Sequence, residues 1–148
     1  MEKFDLQLFA DYAINDAING LYGFLYDENG QEIQSTQEFE SEIKFEKVEI
    51  KQAGKFMSGH KVLGGSGSGS VKMLKIDSRL QKKVVDNPTG KFNFLGRLAD
   101  PDARGEEAVM FLGVSFDSVQ ILSYKLGETV EVPFDFTFDD CRYDSWID

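Results

Sequence analysis

The chain has 148 residues, 41% hydrophobic and 13% aromatic with thirteen Phe, which is enough to bury roughly two thirds of the unfolded surface in one core and excludes wholesale disorder. Twenty-six acidic against sixteen basic residues give a net charge of −10, which opposes the phosphate neutralisation that nucleic-acid binding requires. A single cysteine, Cys141, and a single histidine, His60, exclude an internal disulfide and the usual zinc constellations, and no apolar run is long enough to cross a bilayer as a helix.

The opening MEKFDLQLFADYAIND lacks the basic leader, sustained apolar stretch and small-residue cleavage site of a secretory signal, so maturation in the cytoplasm is expected. The first twenty residues read as a helical turn or as an extended arm. GLYGFLYD is the first strand candidate, and DENG at 27–30 reads as a hairpin turn because Asn29 and Gly30 tolerate positive φ. In EFESEIKFEKVEI the period is two: Phe39, Ile43 and Phe45 share a face against Glu38, Glu40, Glu42, Lys44 and Glu46. Beyond Lys47 the apolar residues Val48 and Ile50 change parity, which predicts a bulge or a passage into another environment.

One internal helix is expected, DSRLQKKVVDNP, with Asp77 or Ser78 as N-cap, Leu80 and Val84 four apart and Asn87-Pro88 as its stop. Its exposed side carries Arg79, Lys82 and Lys83. GKFNFLGRLA, EAVMFLGVSF and SVQILSY read as further strands, and DPDARGEE as a loop. In VEVPFDFTFDD, Val130, Val132, Phe134, Phe136 and Phe138 point one way and Glu131, Pro133, Asp135, Thr137 and Asp139 the other. That pattern predicts one buried and one acidic face, with Pro133 at an edge or bulge because it cannot donate to a ladder.

The tract GGSGSGS within MSGHKVLGGSGSGSVKMLKI (57–76) was tested against known chemistry. A Walker loop fails, since glycine stands where the phosphate-binding lysine must be. The spacing also breaks the dinucleotide fingerprint and the GxSxG nucleophile elbow. Ser58-Gly59-His60-Lys61 matches S-x-x-K without the companion motifs of penicillin-recognising enzymes. Asp27, Asn29 and Gly30 lack the closing glutamate of a calcium loop, and Asp100, Asp102, Glu106 and Glu107 read as a solvated loop. His60 and Cys141 read as a polar loop residue and a small packed side chain. No enzyme, metal site or cofactor is indicated.

As structure, the tract is either a flexible linker or the bare end of a strand, because Gly65, Gly67, Gly69, Val71 and Met73 keep one face and Ser66, Ser68, Ser70, Lys72 and Leu74 the other. Alternate glycines in a strand are costly unless another backbone approaches closely, and in an oligomer a neighbour could supply it.

The run MSGHKVLGGSGSGSVKMLKIDSRL, preceded by NGLYGFLYDENGQEIQSTQEFESEIKFEKVEIKQAGKF and followed by GVSFDSVQI and VEVPFDFTFDD, resembles the tail-tube protein family of Gram-positive phages, defective prophages and phage-tail-like bacteriocins, related to the type VI secretion tube. The resemblance covers residues 15–140, between an N-terminal arm over 1–14 and a C-terminal tail over 141–148. It implies a mostly β fold, an antiparallel sandwich or barrel with one short flanking helix. It also implies a structural subunit, not an enzyme, whose hexameric rings stack into a hollow conduit, the inner tube of a contractile tail or bacteriocin.

The same resemblance assigns 52–69 to a loop reaching a neighbouring ring, with Met57, Ser58, Gly59, His60, Lys61, Gly65, Gly67 and Gly69 as assembly residues. Glu38, Glu40, Glu42 and Glu46 become possible lumen-facing acids, and Arg79, Lys82 and Lys83 possible sheath-facing cations. The implied partners are sheath, baseplate and tail-terminator proteins, with DNA only in transit, no membrane insertion, assembly in the bacterial cytoplasm, and a final place in a virion tail or released particle. The alternative from another class is a monomeric ligand-binding β-barrel, which would stay a monomer where the tube subunit forms rings.

Overall fold

The computed structural model describes residues 13–33 and 35–148; residues 1–12, most of the expected N-terminal arm, lie outside the described residues. The chain divides into two compact units, one made of the described residues up to Ile33 with Phe94–Met110 and Arg142–Asp148, the other of Ser35–Asn93 with Phe111–Cys141.

In the first unit two 3-10 turns, Ile14–Asp16 and Gly20–Tyr22, lead into β1 (Gly23–Tyr26). It pairs antiparallel with β4 (Phe92–Leu98), Gly23 opposite Leu98 and Tyr26 opposite Leu95. The predicted DENG turn is present: Gly30 has φ of 78°, and Asp27 accepts from the backbone N–H groups of Asn29 and Gln31, both at 2.9 Å. Within the predicted DPDARGEE loop, Asp100 is buried and occupied structurally, accepting from the N–H groups of Asn19 and Asp102 at 3.0 Å. Asp16 accepts from Ala13 N–H and from Arg104, and these bonds, the backbone one first, hold its carboxyl below the usual range.

The second unit is built on a sheet in the order β5 (Glu107–Phe116), β6 (Glu131–Phe138), β3 (Gly59–Leu74), β2 (Thr36–Ile50), flanked by α1 (Arg79–Asp86). The expected mostly antiparallel β fold with one flanking helix is observed. The period-two reading of β6 holds at every position, its residues alternating exposed and buried with Val132, Phe134, Phe136 and Phe138 inside. These rings join Phe39, Phe111 and Phe116 in an aromatic core. Phe111 meets Phe138 edge-on at 5.2 Å, Phe116 meets Phe134 at 5.4 Å, and Phe39 stacks on Phe136 at 5.8 Å. Such geometries add about 0.5–1.5 kcal/mol per pair beyond area burial.

Pro133 sits where a residue without an N–H is harmless. Asp117 N–H donates to Asp135 O, so odd-numbered β6 residues turn their backbone polar groups toward β5 and even-numbered ones toward β3. The β5–β6 pairing runs only over Ser115–Thr137 and Phe116–Phe136. Pro133 therefore faces the side of β6 on which the pairing with β5 has already ended.

Three expectations need correction. SVQILSY is not a strand: 118–124 carry no ladder despite their β propensity, and the carbonyls of Gln120 and Ile121 accept from the Gln81 side chain instead. The expected loop over 52–69 is much shorter, since β2 runs to Ile50 and pairs with β3 from Gly59, leaving only 51–58 as the connection. Ile43 and Phe45 share a face as predicted but are 45% and 63% exposed; Ile43 stands in the last row that β6 reaches, through Gly67 and Phe138, and Phe45 lies beyond it. The last residues are also partly strand, β7 (Asp140–Ser145), which pairs with β5.

Candidate assembly surface

The glycine tract lies inside β3, and its register explains its composition. Gly65, Gly67 and Gly69 stand opposite Phe45, Ile43 and Ser41 of β2, while Gly67 and Gly69 stand opposite Phe138 and Phe136 of β6. Paired residues point to the same face, so the β6 rings lie across β3 where side chains are missing. A Cβ on Gly67 would sit 2.2 Å from the Phe138 ring, and one on Gly69 would sit 2.6 Å from Phe136 and 2.5 Å from Glu40 O. The close neighbours that the sequence reading sought in another subunit are thus, at Gly67 and Gly69, aromatic rings of the same chain.

Beyond Gly67, β2 and β3 continue as a two-stranded ribbon past the end of β6. The parity change at Lys47 coincides with a register shift: Glu46 pairs with Gly64 but Lys47 with Val62, which makes Leu63 of β3 the bulged residue. Phe45 and Val62 therefore occupy one face of the ribbon and Val48 and Ile50 the other, all of them exposed. The connection adds Phe56 and Met57, 103% and 79% exposed. A two-stranded ribbon is marginal by itself in water, and apolar side chains on both faces mark it as a contact surface. Of the sequence-predicted assembly residues, Met57 and Ser58 lie in the connection, and Gly59, His60 and Lys61 in the ribbon. The sequence reading did not single out Phe45, Val48, Ile50, Val62 and Leu63, which are exposed on the ribbon, although apolar residues at both parities were the available signal.

Glu38, Glu40 and Glu42 share the opposite face of the sheet with Ser68, Ser70 and Asp135, and Glu46 continues the same row on the ribbon. Ser70 Oγ donates to Glu40 at 3.1 Å, and Lys72 lies 3.9 Å from Glu38 and 3.8 Å from Glu131. Of these acids Glu40 and Glu42 line an open groove of about 420 Å³ with Ser68, Ser70, Asp117 and Asp135. No cluster of His, Cys, Asp and Glu able to hold a metal occurs among the described residues.

On α1 the cations are only partly free to act at a distance. Arg79 pairs with Asp77 at 3.1 Å, Lys82 with Asp86 at 3.1 Å, and Lys83 lies 5.0 Å from the centre of the Phe92 ring. Ser78 is the N-cap residue without a side-chain cap; Asp77 supplies the bond instead, accepting from Arg79 N–H at 3.1 Å. That backbone bond first, and the Arg79 guanidinium second, hold the Asp77 carboxyl below its usual value.

An antiparallel β subunit with a protruding apolar ribbon and a polar sheet face is a protein made to be joined to others, and the chain belongs to the phage tail tube protein family, which matches residues 10–144. It is a structural subunit of a tail tube; the monomeric ligand-binding barrel is not favoured. Over 131 residues it is 30% identical to the phage-like element PBSX protein XkdM of Bacillus subtilis (strain 168), an alignment covering 84% of this chain and 88% of that relative. Its fold is that of a chain in the PVC sheath–tube complex of an extracellular contractile injection system in the extended state. The TM-score there is 0.70 at 10% identity, covering 95% of this chain and 97% of the other. A chain of the anti-feeding prophage tube-terminating cap gives 0.73 at 8% identity, covering 92% and 96%.

Proposed function

We propose that this subunit forms hexameric rings that stack into the hollow inner tube of a contractile tail or tail-like particle, assembled in the bacterial cytoplasm without catalytic activity. The observation that carries this reading is the β2–β3 ribbon, whose exposed apolar residues on both faces require a partner that a free subunit lacks. The edge of β2 adds to it, because a fifteen-residue edge strand is a hazard that ring closure removes. The fold shared with chains of sheath–tube, sheath/tube-terminator and baseplate structures supports sheath, terminator and baseplate proteins as partners, with the α1 cations Arg79, Lys82 and Lys83 toward the sheath.

The row Glu38, Glu40 and Glu42, continued by Glu46, faces the lumen in this reading, where negative potential keeps passing DNA from adhering. Negative-stain electron microscopy over a concentration series, with and without a preformed baseplate, tests the assembly: hollow sixfold rings or tubes are expected, and monomers under every condition refute it. Replacing Glu38, Glu40 and Glu42 by Lys should leave tubes intact but impair passage through them. Normal delivery by such tubes would sink the lumen placement.

A further inference from the structure

Residues 117–130 connect β5 to β6 without joining a ladder. The ends of the connection are tied by backbone bonds, Asp117 N–H to Asp135 O at 2.9 Å and Lys75 N–H to Val130 O at 2.8 Å. Between those ends packing holds little: of residues 118–129 only Val119 is half-buried, and Ile121, Leu122, Tyr124 and Leu126 are all exposed. The side chain that grips the connection from another element, among the described residues, is Gln81 of α1, itself only 7% exposed. It donates through Nε2 to the carbonyl of Gln120 and, at 3.5 Å, to that of Ile121, and accepts through Oε1 from Lys75 Nζ.

Chemistry fixes the polarity of that grip. An ammonium can only donate and a carbonyl can only accept, so the Gln81 amide satisfies both in one orientation, oxygen toward Lys75 and nitrogen toward the connection. The charged donor makes the Lys75 bond the stronger one and polarises the amide for the bonds on its other side. Lys75 thereby serves both ends of the connection. Its backbone N–H holds Val130, and its ammonium, acting through Gln81, holds Gln120 and Ile121.

We propose that Lys75 and Gln81 form a latch, and that residues 118–129 are a strap which opens from α1 as a local unit while the sheet stays intact. Opening exposes little further side-chain area and breaks mainly the amide bonds from Gln81, which places the strap at the low-stability end of the subunit. Ile121, Leu122, Tyr124 and Leu126 all lie on the strap. The latch therefore decides whether this apolar group is held in one place or ranges over the surface.

Trypsin can test the latch at the oxygen it holds. Gln120 is exposed, and Gln120→Lys makes the 120–121 peptide a cleavage site whose carbonyl must leave Gln81 before the protease can attack it. Cleavage after Lys125, further along the strap, is the reference, with initial rates read by mass on dilute subunit. With the latch intact, cleavage after position 120 should be about tenfold or more slower than after Lys125. Adding Gln81→Glu keeps an acceptor for Lys75 but sets a carboxylate against the two carbonyls, and should raise the rate after position 120 by about tenfold or more. Gln81→Met, which keeps the volume and removes both polar ends, should act in the same direction. Lys75→Met, which frees the amide to turn, should give a smaller rise. Val84→Ala, a truncation in the buried face of the same helix, measures general weakening, and for an equal drop in urea midpoint it should raise the rate less than either Gln81 variant. Cleavage after position 120 as fast as after Lys125 in the latched protein overturns the proposal. So does a rate that neither Gln81 variant moves, or one that rises only in step with the urea midpoint, as in Val84→Ala. These rates are independent of ring formation, so the tube reading stands or falls separately.

Discussion

Giving Gly67 a methyl group separates two accounts of the glycine tract, internal packing and mere flexibility. The added Cβ would lie 2.2, 2.4 and 2.5 Å from three atoms of the Phe138 ring, well inside carbon–carbon contact distance, and Phe138 is 7% exposed and packed with Phe111 and Phe136. Overpacking of this kind costs about 1–3 kcal/mol, against about 0.4–1 kcal/mol gained by stiffening the unfolded chain. Gly64, in the same strand, has open space where its Cβ would go, so Gly64→Ala keeps only the gain. Urea unfolding of the monomer should therefore give a lower midpoint for Gly67→Ala and an equal or higher one for Gly64→Ala, at unchanged slope. Phe138→Leu destabilises by itself, but it should remove most of the cost of Gly67→Ala measured in its background, a coupling of about 1 kcal/mol or more. Equal effects at Gly64 and Gly67, or a Gly67 cost indifferent to residue 138, would refute packing as the reason for the tract.

Gly113→Ala should be among the most damaging single-methyl changes, because φ is +67° and the new Cβ would lie 2.4 Å from Asp139 Oδ2. A loss of about 1–3 kcal/mol, seen as a melting temperature lower by roughly 3–10 °C, is expected. Asp77→Asn should weaken the start of α1 in a pH-dependent way. The Asp77 carboxyl is depressed by Arg79, so its stabilisation is present above the ordinary carboxylate value of about 3.9 and is lost as pH falls through its own lower value. The stability gap between wild type and variant, from urea titrations, should be constant from pH 7 to about 5 and shrink below about 4; a gap that widens in acid would contradict the assignment.

How far the sequence could be read depended on whether a signal was local. The alternation of β6 was legible because every second side chain enters one core, and the turn at 27–30 because its backbone conformation selects Asn and Gly. The parity change at Lys47 was legible as an irregularity, yet the bulged residue, Leu63, lies on the partner strand, which only the register reveals. The alternation of the glycines on one strand face was legible, but their neighbours were hidden for the same reason: Phe136 and Phe138 are about seventy residues away in sequence, and matching one alternation to the other requires knowing that β3 and β6 are neighbours. SVQILSY had strand-forming residues but carries no ladder. Propensity for β structure is a fit to a neighbouring strand rather than a property of the segment alone.

Strand β3 carries two tasks in sequence. Over Gly67–Leu74 it is paired on both sides, by β2 and β6, and its core face closes on phenylalanines; over Gly59–Ser66 only β2 holds it, and its apolar neighbours face solvent. Substitutions in the first stretch should therefore change the unfolding free energy of the monomer, and exposed ones in the second should leave it nearly unchanged. If the ribbon is the tube contact, the second group acts on assembly instead, and the boundary falls at the last β6 pair, Gly67 with Phe138. The same boundary accounts for the tract's composition. Gly67 and Gly69 are required by rings within the subunit, whereas Gly59 and Gly64 have open space around them and belong to the part of the strand that β6 does not reach. A scan of Ala substitutions along β3, read for both monomer stability and tube formation, should show the two effects exchanging places within one or two residues of Gly67. A gradual change along the strand, or stability losses at Gly59 and Gly64 equal to those at Gly67 and Gly69, would show that the ribbon is part of the subunit's own fold.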